Sequence, residues 1–290
     1  MTVVVLPGVP GLGGLYLRGA ASSGRFAVSR RLDRAPTSLP EVEYVVRSVR
    51  ADPDHLTSYQ HLLGESASDA LPAGFVHVLA FPVATALISR SDFPLPLVGL
   101  IHLSNQVTQT RPLTLSDELE IRALATNLRG HRTGTQVDLV TTVSADGEVA
   151  WRGVSTYLAK GVFLRGEGPD DRSAFEPPTP TGRWELAADI GRRYAAVSGD
   201  RNPIHVSSLA AKAFGFPRAI AHGMYTASLA LAGVGAARGD AFVWSVDFFK
   251  PVLLPSTVSV RIASAGTAGG FDLAAWTTVP HLTGAVTPTA

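Results

Sequence analysis

The chain has 290 residues, of which 46% are hydrophobic and 17% are charged, so it can build one large core or two ordinary domains. Its formal net charge of +1 argues against nucleic acid or an anionic membrane surface as a partner, because both select strongly basic patches. Cysteine is absent, which excludes disulfides and thiolate chemistry.

The N-terminal segment is apolar, but it is not typical of a signal peptide or a nucleotide-binding loop. MTVVVLPGVPGLGG has no basic residue before Arg18, whereas secretory signals begin with positive charge. GVPGLGG at 8–14 lacks the phosphate-loop lysine and the dinucleotide-binding spacing, so we interpret 1–40 as an N-terminal arm. The longest apolar stretches, 75–88 and 224–237, are too short to span a membrane, and we expect a cytoplasmic protein without a membrane span.

A linker rich in proline, glycine and charge at 166–182 separates two segments of similar organisation, 41–165 and 183–290. Each carries the pattern of helices followed by several strands, which indicates an α+β fold. The predicted helices cover 56–63, 81–89, 187–199 and 220–233, and the predicted strands cover 98–108, 117–128, 135–145, 149–160, 241–249, 256–265 and 271–279.

The two segments also match in sequence. RPLTLSDELEIR at 111–122 aligns without a gap on KPVLLPSTVSVR at 250–261, and a basic residue followed by proline leads each stretch. A repeat with a period near half the chain is typical of a duplicated domain rather than a solenoid. We therefore predict two copies of one domain, called below the first copy (41–165) and the second copy (183–290).

The second copy contains SGDRNPIH, which places a carboxylate, Asp200, five residues before an imidazole, His205. Gly199 and Pro203 support a stiff turn, since proline fixes its own φ and restricts Asn202 to extended conformations. An acid and a histidine held on such a turn can exchange protons near neutral pH. Aspartate and asparagine before an apolar run are also good helix caps, so a structural role remains the alternative.

Gly223 lies 23 residues after Asp200, at the start of a predicted apolar helix. Backbone N–H groups at a helix start have no internal partner, and the helix dipole favours negative charge there. A glycine lets a ligand approach that N–H closely. An acid, a base and an oxyanion donor form a coherent set for chemistry beside a thioester carbonyl.

The first copy provides an internal comparison. Glu65 aligns on Asp200, but Ala70 stands five residues later, where the imidazole would be. Aligning AFPVATAL on AHGMYTAS places Pro82 opposite Gly223, and proline has no N–H to donate. We therefore expect the first copy to lack both the base and the oxyanion donor.

YAAVSGDRNPIH resembles the signature of the (R)-specific enoyl-thioester hydratases and dehydratases, the MaoC-like or hydratase 2 family. FGFPRAIAHGM and VDFFKPVLLPSTV are similar to the next two blocks of that family. With AFPVATALIS, NQVTQTRPL and HRTGTQVDLVTTVS in the first copy, residues 40–290 resemble the double hot dog 3-hydroxyacyl-thioester dehydratases of mycobacteria. The resemblance implies two tandem hot dogs, each a curved antiparallel sheet around a central helix. The first would be degenerate and non-catalytic and would shape the acyl tunnel.

The resemblance also assigns roles to single positions. Asp200 and His205 match the catalytic pair, and Gly223 matches the residue whose backbone N–H binds the thioester oxygen. Asn202 matches the signature asparagine that supports the turn. One position departs from the pattern, because some members carry a serine eight residues after the glycine, where this chain has Leu231.

Two further residues are candidates for supporting this set. His222, directly before Gly223, is expected to pack or hydrogen-bond behind the turn, and Tyr194 on the preceding helix is a second supporting residue. The histidines do not have the spacing of a metal site, so neither a metal nor a cofactor is expected.

The implied activity is that of a hydro-lyase of fatty-acid metabolism, which reversibly dehydrates (R)-3-hydroxyacyl thioesters to trans-2-enoyl thioesters. Its substrate would be a CoA or acyl-carrier-protein thioester, and a homodimer is compatible with this fold. Two alternatives stay open: a hot dog thioesterase, and a non-catalytic acyl-thioester-binding or scaffold protein. The Asp-x-Asn-Pro-x-His turn favours the hydratase over both.

Overall fold

The residues that a computed structural model describes are 1–19, 36–166, 168, 175–266 and 269–289. The expected arm at 1–40 and the expected linker at 166–182 therefore lie partly outside the described residues. Helices and mainly antiparallel strands occur in blocks, as expected for an α+β fold. In the described part of the chain, no helix is both long and apolar enough to cross a membrane.

The N-terminal segment forms structure that the sequence did not predict. Strand β1 (Thr2–Val5) pairs in parallel with β2 (Val42–Val49). A helical segment at 12–19, α1, then buries Leu12 and Leu15. Pairing between segments this distant in sequence leaves no local signal beyond a short apolar run, so sequence alone favours an arm.

The first copy begins on a strand, continues through two helices and ends on four long strands. The predicted strands agree with the observed ones within a few residues, but its second helix starts earlier than predicted, because it is apolar on all sides and lacks a periodic start signal. The elements are β2, α2 (Pro53–Leu63), α3 (Ala73–Ile88), β3 (Leu100–Gln109), β4 (Leu119–His131), β5 (Gly134–Ala145) and β6 (Glu148–Lys160).

The second copy has the same order of elements with two additions: two short helices that follow its first helix, and a 3-10 helix, Gly235–Arg238, before its second strand. Its first and last strands were not predicted. The elements are β7 (Gly182–Leu186), α4 (Ile190–Ser198), α5 (Pro203–Val206), α6 (Ser208–Ala213), α7 (Gly223–Val234), β8 (Phe242–Phe248), β9 (Ser256–Ser264), β10 (Phe271–Trp276) and β11 (Pro280–Pro288).

The order of strands in the sheet repeats as well. It is β2-β4-β5-β6-β3 in the first copy and β7-β9-β10-β11-β8 in the second. Strand β4 pairs antiparallel with β2 and β5, just as β9 pairs antiparallel with β7 and β10. An identical path through the sheet in both copies confirms the predicted duplication.

Contacts along the chain define two compact units whose limits differ from those of the copies. Unit 2 contains the second copy, α2 and the first residues of α3, so all residues of the Asp200 turn and Gly223 lie within it. The boundaries proposed for the two hot dogs remain a prediction. Unit 1 consists of Met1–Arg50, His77–Asn105 and Asp117–Ser173, and unit 2 of Ala51–Val76, Gln106–Ser116 and Ala174–Ala290.

Backbone hydrogen bonds correct the alignment of the helix starts. The Leu71 N–H donates to the Leu113 carbonyl at 2.7 Å, and the Ala221 N–H donates to the Val252 carbonyl at 2.9 Å. Leu113 and Val252 are equivalent in the gapless strand alignment. It follows that Leu71 is the structural counterpart of Ala221.

The helix that follows starts two residues later in both copies, so Ala73 is the counterpart of Gly223. The expectation that Pro82 stands opposite Gly223 is therefore wrong, because Pro82 lies inside α3. The first copy keeps a helix-start N–H. Sequence comparison failed here because the path from carboxylate to helix start is 15 residues longer in the second copy.

Ala70 is likewise not the counterpart of His205. Ala70 forms an isolated antiparallel bridge with Thr114, and Ile220 forms the matching bridge with Leu253. The first copy has no equivalent of α5 and α6, the helices that follow the carboxylate turn. It therefore has no position at all for the imidazole.

Gly74, at the start of α3, is required by packing in unit 2. A Cβ atom there would overlap Tyr59 Oη and Ser228 Oγ, which are both buried. Gly74→Ala is expected to lower the free energy of unfolding by about 1–3 kcal/mol, because overpacking forces neighbouring groups to shift. Urea unfolding measures the change. Gly14→Ala in α1, where a Cβ meets nothing within 4 Å, is the matched control, and an equal effect of both substitutions would contradict the packing explanation.

Candidate active site

The predicted acid–imidazole turn connects α4 to α5. Helix α4 ends at Ser198, and Gly199 follows in the left-handed conformation with φ 71°, its N–H donating to the Ala195 carbonyl at 3.1 Å. Glycine adopts this conformation without a Cβ penalty. Asn202 caps α5 and Pro203 occupies its first helical position. Each of the three supporting residues thus fixes the backbone of the turn.

Asp200 is oriented by hydrogen bonds within the same turn. Its N–H donates to Ser198 Oγ at 3.2 Å, and its Oδ1 accepts from the Asn202 N–H at 3.1 Å. An aspartate that accepts from a backbone N–H two residues on holds a defined rotamer. Its side chain stays 18% exposed, so a ligand can reach the carboxylate.

A backbone carbonyl orients the His205 ring. Its Nδ1 lies 2.9 Å from the Ile220 oxygen. A carbonyl oxygen can only accept, so Nδ1 carries the proton, and Nε2 of the neutral ring carries the lone pair. His205 therefore presents a proton acceptor at Nε2.

Main-chain hydrogen bonds hold the Ile220 carbonyl in place. The Ile220 N–H donates to the Ile204 oxygen at 3.1 Å, and Ile220 bridges Leu253. The next residue, Ala221, donates its N–H to Val252 at 2.9 Å. The acceptor of the His205 proton is thus part of a fixed backbone segment.

His222 contacts both members of the acid–imidazole pair. Its Nε2 lies 2.9 Å from the Asp200 backbone oxygen, so Nε2 carries the proton and donates it. Its ring stacks on His205 with centroids 3.7 Å apart and 24° between the ring planes. Tyr194, the second supporting residue from the sequence, packs against the His222 ring at a centroid distance of 5.0 Å.

Both imidazoles are neutral near pH 7. Burial lowers the pKa of His205 below its ordinary value, and the Asp200 carboxylate and the Ile220 carbonyl oppose this shift only in part. Burial, together with the neighbouring His205, lowers the pKa of His222 to about 3. A neutral His205 leaves Nε2 available to accept a proton.

Gly223 begins α7, and none of the described residues accepts a hydrogen bond from its N–H. The N-cap residue of α7 makes no side-chain cap bond, whereas α2, α5 and α6 are each capped by a side chain. A Cβ atom at this position would lie 3.1 Å from Phe248 Cε1, which is tighter than an ordinary contact. The helix start thus offers an open donor at the positive end of the helix dipole.

Asp200, His205 and His222 each offer a potential metal-ligand atom, and these atoms lie within 4.8 Å of one another. A metal site requires lone pairs that converge on one point about 2 Å from each nitrogen. The two rings are stacked, so their lone pairs lie in separate, nearly parallel planes and do not converge on one point, and one nitrogen of each ring already donates to a carbonyl. The cluster fits a stacked, hydrogen-bonded pair better than a metal centre.

The structure thus brings the predicted acid, base and supporting histidine together within unit 2, and Gly223 directly follows that histidine in sequence. The sequence gives no signal for Ile220 or Ser198, which orient this set. Ile220 acts through its main-chain carbonyl, which every residue type has, so no sequence pattern could mark it. Ser198 ends a helix, where a serine carries no distinctive signal.

Comparison with known proteins finds relatives along nearly the whole chain. The family model for the MaoC like domain matches residues 169–285. The 3-hydroxyacyl-thioester dehydratase X of Mycobacterium tuberculosis is 40% identical over 271 residues, which cover 92% of this chain and 95% of that protein. The 3-hydroxybutyryl-CoA dehydratase of Methylorubrum extorquens is 38% identical over 76 residues, which cover 25% of this chain and 48% of that protein.

Solved structures share the architecture. The crystal structure of HtdX from Mycobacterium tuberculosis matches 85% of this chain and 100% of its own, with a TM-score of 0.76 and 38% identity. An acyl-ACP thioesterase from Bacteroides thetaiotaomicron matches 84% of this chain and 96% of its own, with a TM-score of 0.54 at 10% identity, a likeness in fold alone. The predicted α+β double hot dog is confirmed, and this fold also occurs in thioesterases.

The depressed pKa of His222 predicts a pH dependence of stability. An unfolded histidine binds a proton below about pH 6.5, whereas folded His222 does so only near pH 3. The free energy of unfolding should therefore fall as pH drops below about 6.5, by on the order of 1 kcal/mol per pH unit for this residue. In urea unfolding between pH 7.5 and 5.5, His222→Phe is expected to have a shallower slope than the wild type. Above pH 7.5 the two slopes should coincide, and equal slopes below pH 6.5 would contradict the assignment.

Proposed function

Because the chain belongs to the MaoC-like dehydratase family, we propose that it is a hydro-lyase that reversibly dehydrates (R)-3-hydroxyacyl thioesters to trans-2-enoyl thioesters in fatty-acid metabolism. One observation carries the proposal: His205, whose Nδ1 donates to Ile220 and leaves Nε2 unprotonated, clusters with Asp200 and with His222, the residue directly before the open N–H of Gly223. Proton transfer and oxyanion stabilisation both require such groups.

In the direction of hydration, Asp200 and His205 hold a water molecule and together remove one of its protons. The water oxygen bonds to C3 of the enoyl thioester, and the electron pair of the C2–C3 double bond shifts toward the thioester oxygen. The pair then delivers a proton to C2 as the electron pair returns from the oxygen and the thioester carbonyl re-forms, which completes the addition and restores the pair to its starting state. Dehydration reverses these steps, and the two titrating groups act as one coupled pair.

The Gly223 N–H would donate to the thioester oxygen as it gains negative charge. Its position at the start of α7 supports this role, because the helix dipole stabilises an anion there without reorganisation. The relative position of Asp200 and His205 would be maintained by Gly199, Asn202 and Pro203, since each fixes part of the turn backbone.

The proposed steps use side chains and a backbone N–H and require no cofactor. The relatives named above include an acyl-thioester and a CoA-thioester dehydratase, and we propose a thioester of CoA or acyl carrier protein as the substrate here. A homodimer and a cytoplasmic location remain predictions from the sequence.

Hydration of crotonyl-CoA, followed by loss of the enone absorbance and repeated with a longer enoyl thioester, tests the activity. Asp200→Asn and His205→Gln are each expected to lower kcat by about 10²-fold or more, because either change removes one member of the acid–base pair. Asp200→Asn should keep the wild-type unfolding temperature, since it preserves the shape of the side chain, and thermal unfolding of both variants confirms that the compared samples are folded.

Two exposed positions outside the turn supply matched controls, Asp146→Asn and His61→Gln, which repeat the same chemical changes and should leave kcat unchanged. Wild-type-like turnover in Asp200→Asn or His205→Gln would refute the assignment of the pair. Release of free thiol from crotonyl-CoA, with the enone left intact, would identify the thioesterase alternative.

Gly223 permits a separate test of the oxyanion donor. Gly223→Ala adds a Cβ beside Phe248 but keeps the N–H, whereas Gly223→Pro removes the N–H at a helical position where proline is tolerated. The backbone of His222, at φ −66° and ψ 136°, suits a residue that precedes proline. Gly223→Pro is expected to have a kcat about 10²-fold below that of Gly223→Ala. Equal kcat values in two folded variants would rule out this donor.

A further inference from the structure

We propose that His222 is a positioning residue that holds the acid, the base and the oxyanion donor in one arrangement. The inference rests on the proposed function and adds to it a residue that need not touch the substrate. Three observations carry it: a hydrogen bond to the acid, a ring stack on the base, and the place of His222 in the sequence directly before the donor.

The hydrogen bond ties His222 to the backbone of the acid. Its Nε2 donates to the Asp200 carbonyl at 2.9 Å, while the same ring nitrogen lies 3.7 Å from Asp200 Oδ2. Bonds among residues 198–202 also fix the Asp200 turn, and these are local in sequence. The His222 bond joins that turn to the start of α7, 22 residues further along the chain.

The ring stack restricts the orientation of the His205 ring. The bond from His205 Nδ1 to Ile220 anchors one edge of the ring, but a single hydrogen bond leaves rotation about its axis. The His222 ring, with its centroid 3.7 Å away and its plane inclined by 24°, covers one face of His205. With both contacts the direction of the Nε2 lone pair is set.

The third link is covalent. His222 is the N-cap residue of α7, so its own backbone torsions, φ −66° and ψ 136°, determine where the Gly223 N–H points. Its side chain does not cap the helix, because that side chain donates to Asp200 instead. One residue therefore connects the proton-transfer pair to the oxyanion donor.

Packing alone does not account for a histidine here. His222 is 4% exposed, and its Nδ1 is buried with no hydrogen-bond partner among the described residues. A phenylalanine would fill the same space without burying an unpaired nitrogen. The first copy, which has no imidazole to position, carries Pro72 at the equivalent site.

Three substitutions separate the contacts. His222→Phe keeps a ring to stack but loses the donor, His222→Gln keeps a donor at the same distance along the side chain but loses the ring, and His222→Ala loses both. We expect kcat to fall about 10-fold in the first two and about 10²-fold in the third, the scale of a misplacement near 1 Å. KM should stay within about threefold of the wild type, because substrate binding does not use this side chain.

The measurements are kcat and KM for crotonyl-CoA together with the thermal unfolding temperature of each variant. Values of kcat within threefold of the wild type in all three variants would overturn the inference. It would also be overturned by a loss of activity that matches the loss of folded protein, since a purely structural role predicts that correlation. His222→Phe, which fills the space of the ring, is the variant expected to keep the wild-type unfolding temperature.

Failure of this inference and failure of the proposed function give different results. If Asp200→Asn is inactive while His222→Ala keeps full turnover, the function stands and the positioning role is wrong. If the wild type does not hydrate enoyl thioesters, or Asp200→Asn remains fully active, the proposed function itself is wrong.

Discussion

The hydrogen bond from His205 Nδ1 to the Ile220 carbonyl determines which ring nitrogen carries the lone pair. With the proton on Nε2 instead, the ring would present a donor to the site, and the Asp200 carboxylate would stand alone as proton acceptor. A backbone carbonyl is well suited to fix the tautomer, because it accepts at every pH and never titrates. Burial of the ring adds the second condition, a neutral imidazole, by lowering the pKa of His205.

This carbonyl belongs to a backbone arrangement that both copies share. The bridges from Ile220 to Leu253 and from Ala70 to Thr114 are equivalent, so the backbone segment that carries the acceptor is present even in the copy that has no imidazole. The carboxylates have diverged more. The Asp200 carboxylate accepts from the Asn202 N–H and its side chain is 18% exposed, whereas Glu65, its counterpart, is 10% exposed and forms an ion pair with Arg238 at 3.3 Å. A carboxylate that forms an ion pair with a guanidinium stabilises the fold and is a poor proton acceptor.

The sequence predicts those elements whose ends are marked by capping residues, proline or glycine. Helix α2 has an aspartate cap, a proline at its first turn and a left-handed glycine after its end, and it was found. Helix α3 is apolar all round, so the sequence predicts its start too late, and the incorrect equivalence of Pro82 with Gly223 follows from that error. The turn residues were identified because their spacing is specific. The acceptor at Ile220 was not, because long-range contacts of the main chain leave no trace in side-chain identity.

The comparison of the two copies separates what the fold provides from what the site adds. In both copies the central helix starts two residues after the equivalent backbone hydrogen bond, from Leu71 in the first copy and from Ala221 in the second. Both copies therefore present an N–H at a helix terminus. Such a donor is a general property of helices and can bind an anion without catalysing anything. The second copy alone has the 15 additional residues that include α5 and α6, and these residues carry His205. A thioesterase shares the architecture at 10% identity, so the hot dog fold by itself does not determine the chemistry, and the activity proposed here depends on these additional residues and on the contacts that orient His205.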